Sequence, residues 1–179
     1  MLTSRTNHMR AAAFALLFAL AALFVPQMAR AQLSGTLSGP RFVETAAVAG
    51  LFEIESSKIA LERSDNPGIK AFAQMMVDDH TRIAAALKRA AADANGEITI
   101  PAALDSEHDA MIRKLKTASG REFDALYVQM QTTGHEQAVG LFGAYAKDGD
   151  QTALKTFAAD TLPTLQNHLK HVMQIQVKT

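Results

Sequence analysis

Four residues, one on each of four long helical patterns, have the chemistry to hold a transition metal: Glu53, His80, His135 and His168. Imidazole nitrogens and a carboxylate oxygen suit Zn²⁺, Cu²⁺, Fe²⁺ or Mn²⁺ where no thiolate competes, and this chain has no Cys. One ion of that group is the cofactor these residues predict. Projected at about 100° per residue, each of the four lies on the apolar stripe of its helix. Phe42, Ala46, Ala49, Ser57 and Ala60 flank Glu53, while Glu55 points away. Ile69, Ala73, Met76, Ala84, Leu87 and Ala91 flank His80, with Asp79 at the edge of the stripe. Val128, Gln131, Val139, Phe142 and Ala146 flank His135, and Phe157, Thr161, Thr164, Val172 and Ile175 flank His168. Tyr127, Gln131 and Thr164 are placed to support the four donors from behind.

Height along the helices is a second condition. Counted from the predicted turns near Asp65-Asn66 and Gly149, Glu53, His80 and His135 share one layer, and His168 approaches it with a total spread of roughly 10 Å. A buried layer of imidazoles and a carboxylate is unfavourable unless each group finds a hydrogen bond, a counter-charge or a metal. Two readings follow. The four groups are a metal site, or they are a buried hydrogen-bond network that fixes helix register. An enzyme ranks below both, and no catalytic residue is assigned. A second inward carboxylate pair is missing, as are a Gly-rich phosphate loop, a nucleophile elbow and a Ser/His/Asp signature.

Neighbouring candidates have simpler duties. Asp105 and His108 open a short helix, where an acid caps the first turn. His171 reads as a rim residue, Asp124 as a hydrogen-bond partner for a loop or a Tyr, and Met75-Met76 as packing with Met76 inward.

The elements that must position these groups are read from periodicity and breakers. Helical spacing runs over Pro40 to Arg63, over about Pro67 to Asp93, over Arg121 to Lys147 and over about Gln151 to Gln176, with Pro163 inside the last and expected to kink it. Asn95-Gly96 and Asp148-Gly149-Asp150 are stops, and a short helix from Asp105 to about Thr117 interrupts the connection between helices two and three. The prediction is an all-α, up-and-down four-helix bundle over 41–177, after a flexible linker at 32–40.

Residues 1–31 read as a secretory signal peptide: Arg5 and Arg10, the apolar run Ala11 to Val25, then Pro26 and Ala29-Arg30-Ala31. As helix, that run would span about 22 Å, short of the roughly 30 Å hydrocarbon core, which favours cleavage after Ala31 over cleavage at a neighbouring bond or retention as an anchor. The whole chain of 179 residues balances 18 basic against 18 acidic side chains. The leader would take three Arg and no acid with it, leaving a mildly acidic domain with no electrostatic footprint for nucleic acid. The mature chain is expected to have no transmembrane segment. Its expected place is the periplasm or the outer membrane's surface, with an envelope partner or a second copy of itself as candidate partners.

The segments Phe42-Val-Glu-Thr-Ala-Ala, Gly50-Leu-Phe-Glu53-Ile-Glu, Ala71-Phe-Ala-Gln-Met-Met-Val-Asp-Asp79-His80, Gly120-Arg-Glu-Phe-Asp124-Ala-Leu-Tyr127, His135-Glu and Leu162-Pro-Thr-Leu-Gln-Asn-His168-Leu carry a resemblance. Over about residues 41–175 the chain resembles a bacterial family of exported proteins catalogued as a domain of unknown function, labelled predicted outer membrane protein and placed in the ferritin-like superfamily. The resemblance implies a ferritin-like bundle and an envelope location, and supplies no activity. Ferritin-like di-iron sites use a Glu and a Glu-x-x-His in each half. This chain has no Glu-x-x-His, so its residues favour a mononuclear site or a metal-free bundle.

Overall fold

The computed structural model describes residues 37–177, and the signal-peptide and most of the linker expectations fall outside them. The described residues form five helices and no strand: α1 (Gly39–Arg63), α2 (Pro67–Ala92), α3 (Ser106–Thr117), α4 (Gly120–Asp148) and α5 (Thr152–Val172). None of these helices is long and apolar enough to cross a membrane.

Local chemistry explains where the helices begin and end. Pro40 and Pro67 sit in the first turns of α1 and α2, where the missing N–H is not needed. The Asn66 side chain accepts from the Gly68 and Ile69 N–H groups, and Asp105 caps α3 by accepting from His108 N–H at 2.9 Å. Beyond α2 the chain turns at Gly96, whose φ of 84° lies in the left-handed region that a side chain would oppose. The helix α1 begins at Gly39, inside the expected linker. Helix α5 stays helical through Pro163 and ends at Val172, four residues short of the expected Gln176, because the chain goes into a turn at Met173-Gln174.

The four long helices are tied at both ends. Ser64, in the three-residue link from α1 to α2, donates its hydroxyl to Asp124 Oδ1 near the start of α4 (2.7 Å), and Asn66 Nδ2 donates to the Gln176 carbonyl beyond α5 (2.9 Å). At the other end Gly39 N–H donates to Asp150 Oδ1 (2.8 Å), and Asn95 N–H to Gln151 Oε1 (3.1 Å). Short links and close packing make α1 and α2 one antiparallel hairpin and α4 and α5 another, and these ties join the two hairpins. The hairpins meet through α2 against α5 and α1 against α4, and α3 lies across α1.

The core has two parts. Phe42, Val43, Leu87, Phe142, Phe157 and Leu165 pack together toward the α4–α5 link. Phe52, Ile69, Phe72, Met76, Leu115 and Tyr127 form a second cluster toward the α1–α2 link. Along every long helix the candidate donor falls at the boundary between these clusters: Glu53, His80, His135 and His168 are all buried there.

Candidate functional site

Each of the three histidines is delivered by a different helix. The ring centroids of His80, His135 and His168 stand 5.3 to 5.6 Å apart pairwise. One donor nitrogen from each can be chosen so that all three lie within 4.8 Å of one another. Within the set, His135 Nε2 and His168 Nδ1 are 3.3 Å apart.

His168 stands close in height to His135 on the neighbouring helix. His135 lies 13 residues before the end of α4 and His168 16 residues after the start of α5, a difference of about 4.5 Å in rise. Over all four groups the helix ends give a spread of about 9 Å, close to the roughly 10 Å expected from the turns.

Hydrogen bonds at the rear fix the orientation of two rings. His135 Nδ1 lies 2.8 Å from the Gln131 carbonyl oxygen, which only accepts, so this nitrogen carries the proton. His168 Nε2 lies 2.8 Å from Asp79 Oδ2, and the Arg82 guanidinium pairs with the other oxygen of that carboxylate. His168 therefore donates from Nε2. In the neutral rings both nitrogens of the 3.3 Å contact then present lone pairs. Neither nitrogen of His80 has a hydrogen-bond partner among the described residues.

Burial decides the charge of the cluster. It holds His80 well below the usual imidazole range, helped by repulsion from His135 and His168. Burial also lowers His135 to about 4, against the opposing pull of the Gln131 carbonyl. For His168 burial again lowers the pKa, and the Asp79 hydrogen bond and charge act the other way. The three rings are thus neutral bases at neutral pH.

Glu53 is adjacent but separate. Its Oε1 lies 3.9 Å from His135 Nδ1, on the side of the ring that faces away from His168, and its Oε2 has no hydrogen-bond partner among the described residues. Burial raises its pKa from 4.5 to about 8, partly offset by the Gln131 side chain. Gly134 gives the carboxyl its present room: a Cβ there would meet Oε1 at 2.9 Å and push the carboxyl aside.

Of the three expected supporting residues, only Gln131 touches the cluster, through its backbone carbonyl, while its side-chain amide donates to Ser56 Oγ (3.1 Å). The Tyr127 hydroxyl shares a 2.8 Å hydrogen bond with Ser57, one layer away, and burial raises its pKa. Thr164 borders the groove between α2 and α5 without a hydrogen bond to a histidine. The residue that sequence reasoning left at the edge is Asp79. Its one visible sign was its place beside His80 at the margin of the stripe. The remaining candidates have structural roles: Asp105 caps α3, Asp124 holds Ser64, Met76 is in the core, and His171 is exposed against Phe72.

No curated protein and no solved structure matches the chain. A family model does, over residues 24–175, and the chain belongs to that family, described as Domain of unknown function (DUF4142).

Proposed function

We propose that this is an exported four-helix bundle of the ferritin-like kind that binds one transition-metal ion through His80, His135 and His168, with Glu53 as a nearby carboxylate. A single observation carries the reading. His135 Nε2 and His168 Nδ1 face each other at 3.3 Å while each ring donates its other N–H to a carbonyl or carboxylate behind it. That rear arrangement is the one metal-bound imidazoles adopt. Tetrahedral coordination with metal–nitrogen bonds of about 2.0–2.1 Å places ligand nitrogens about 3.3 Å apart, which is the spacing of this pair. His80 needs to close by at most about 1.5 Å to complete a three-histidine set. Three neutral nitrogens leave a further coordination position for water or a ligand.

The register-fixing network is supported less well. It would leave both His80 nitrogens and Glu53 Oε2 without partners, at the desolvation cost such a network exists to avoid. Export rests on the pattern Arg5, Arg10, Ala11 to Val25 and Ala29-Arg30-Ala31. Mass spectrometry of the N-terminus recovered from the cell envelope tests it: a chain starting at Gln32 is expected, and a full-length cytosolic chain would refute it.

The metal reading is tested by calorimetric titration and thermal melting of chelator-treated protein with Zn²⁺, Cu²⁺, Mn²⁺ and Fe²⁺. One ion per chain and a raised Tm are expected, both lost in His135→Ala. No binding and no stabilisation by any of the four would overturn the proposal.

A further inference from the structure

A chamber adjoins the histidine layer on the side of the α4–α5 link. Its volume is about 100 Å³, and its wall is carbon from Ala46, Ile83, Leu87, Phe142, Phe157 and Leu165, with Ile100 and Pro101 contributed by the connection from α2 to α3. Small residues make the space: Ala49 and Gly50 on α1, and Gly134 and Ala138 on α4, stand where larger side chains would fill it.

The chamber differs from a packing gap in its polar wall. Glu53 and His80 both line it, and they are only 4 % and 5 % exposed. Among the described residues, Glu53 Oε2 and both His80 nitrogens lack hydrogen-bond partners. A void lined only by carbon stays dry, whereas unpaired polar atoms at its edge favour an occupant that satisfies them.

We infer that the chamber binds one small, uncharged aliphatic molecule bearing a single hydroxyl-type head, with the head on Glu53 and the carbon body among Ile83, Leu87, Phe142 and Leu165. Size follows from volume: an apolar cavity of about 150 Å³ accommodates benzene, so about 100 Å³ suits four or five non-hydrogen atoms. An uncharged ligand is favoured because burial would strip a charged ligand's hydration, with Glu53 the one acidic group in the wall to offset it. A hydroxyl suits Glu53 in either protonation state, since it both donates and accepts. His80 remains available to a metal, so the ligand site goes beyond the metal reading and does not depend on it.

The test uses chelator-treated protein with 1-butanol as the probe, followed by methyl-resolved NMR. Saturable shifts at the Ile83, Leu87 and Leu165 methyls are expected, reversed by pressurised xenon competing for the carbon-lined space. Ala138→Leu should abolish them by filling the chamber, and Glu53→Leu should weaken binding about fivefold by removing one hydrogen bond. Shifts that never saturate, or that survive Ala138→Leu, would overturn the proposal. Should Ala138→Leu not fold, failure of xenon to displace butanol from the wild-type chain decides against it equally. Zinc binding without butanol binding sinks this proposal alone, and butanol binding without zinc binding leaves it standing.

Discussion

At the scale of single residues, the rear hydrogen bonds do more to define the site than the donors themselves. Asp79 holds His168 by Nε2 and is held in turn by Arg82, so the ring presents Nδ1 to the cluster. Removing such a partner costs about 10–100-fold in metal affinity. Asp79→Ala is therefore expected to lower Zn²⁺ affinity by that factor with an unchanged circular dichroism spectrum; an unchanged affinity would show that His168 is not a ligand.

Titration gives a second residue-scale prediction, for the metal-free protein. Burial keeps Glu53 protonated up to about 8 against an ordinary 4.5, so the folded state holds the extra proton and this group's contribution falls as pH rises between those values. The histidines act oppositely. With His135 at about 4 against 6.5, the unfolded chain binds more protons, and stability rises with pH across that window. His80 and His168 are shifted in the same direction. At pH 6.5 and below the histidines outweigh the one carboxyl, and above about pH 7 Glu53 dominates, so stability should peak near pH 7. From there to pH 8 it should fall by about 0.5 kcal/mol, because Glu53 is itself half ionised at pH 8. Urea midpoints across this range test it, and Glu53→Gln should flatten the alkaline side.

At the scale of elements, most of the helical framework was legible because breakers bracket it: Ser64 to Pro67, Asn95-Gly96, Ser119-Gly120 and Asp148 to Asp150 all fall at or just beyond helix ends. The end of α5 was not, since the apolar spacing continues through Ile175 while the backbone leaves the helix after Val172. The stripe positions of Glu53, His80, His135 and His168 were legible for a related reason: helical period alone makes a residue face inward. What periodicity cannot encode is which atoms meet across helices. Asp79 and His168 are 89 residues apart, and nothing local announces their bond. The same limit separates Tyr127 and Thr164 from the cluster, although both share its face. Caps, by contrast, are local and predictable. Asn66→Ala removes the α2 cap and the hydrogen bond to the Gln176 carbonyl, and should cost about 1–2 kcal/mol in urea unfolding without changing metal affinity. A change in metal affinity would mean that the α1–α2 link transmits strain to the layer.

At the scale of the whole molecule, the donors are divided between two hairpins. Glu53 and His80 belong to α1 and α2, His135 and His168 to α4 and α5. An ion held by all three histidines would therefore tie the hairpins together at the level where their two apolar clusters are interrupted by polar groups. Ligand at 100 times its dissociation constant adds about 2.7 kcal/mol to the folded state, because the unfolded chain does not assemble the site. The expected distribution of that gain is specific. Hydrogen exchange should slow in α1 and α2 as much as in α4 and α5 when Zn²⁺ is added, because opening either hairpin breaks the same site. In His80→Ala the two remaining donors lie in one hairpin, so added Zn²⁺ should protect α4 and α5 weakly and α1 and α2 hardly at all. Equal protection of both hairpins in that variant would place the ion elsewhere, and protection of α4 and α5 alone in the wild type would exclude His80 from its ligands.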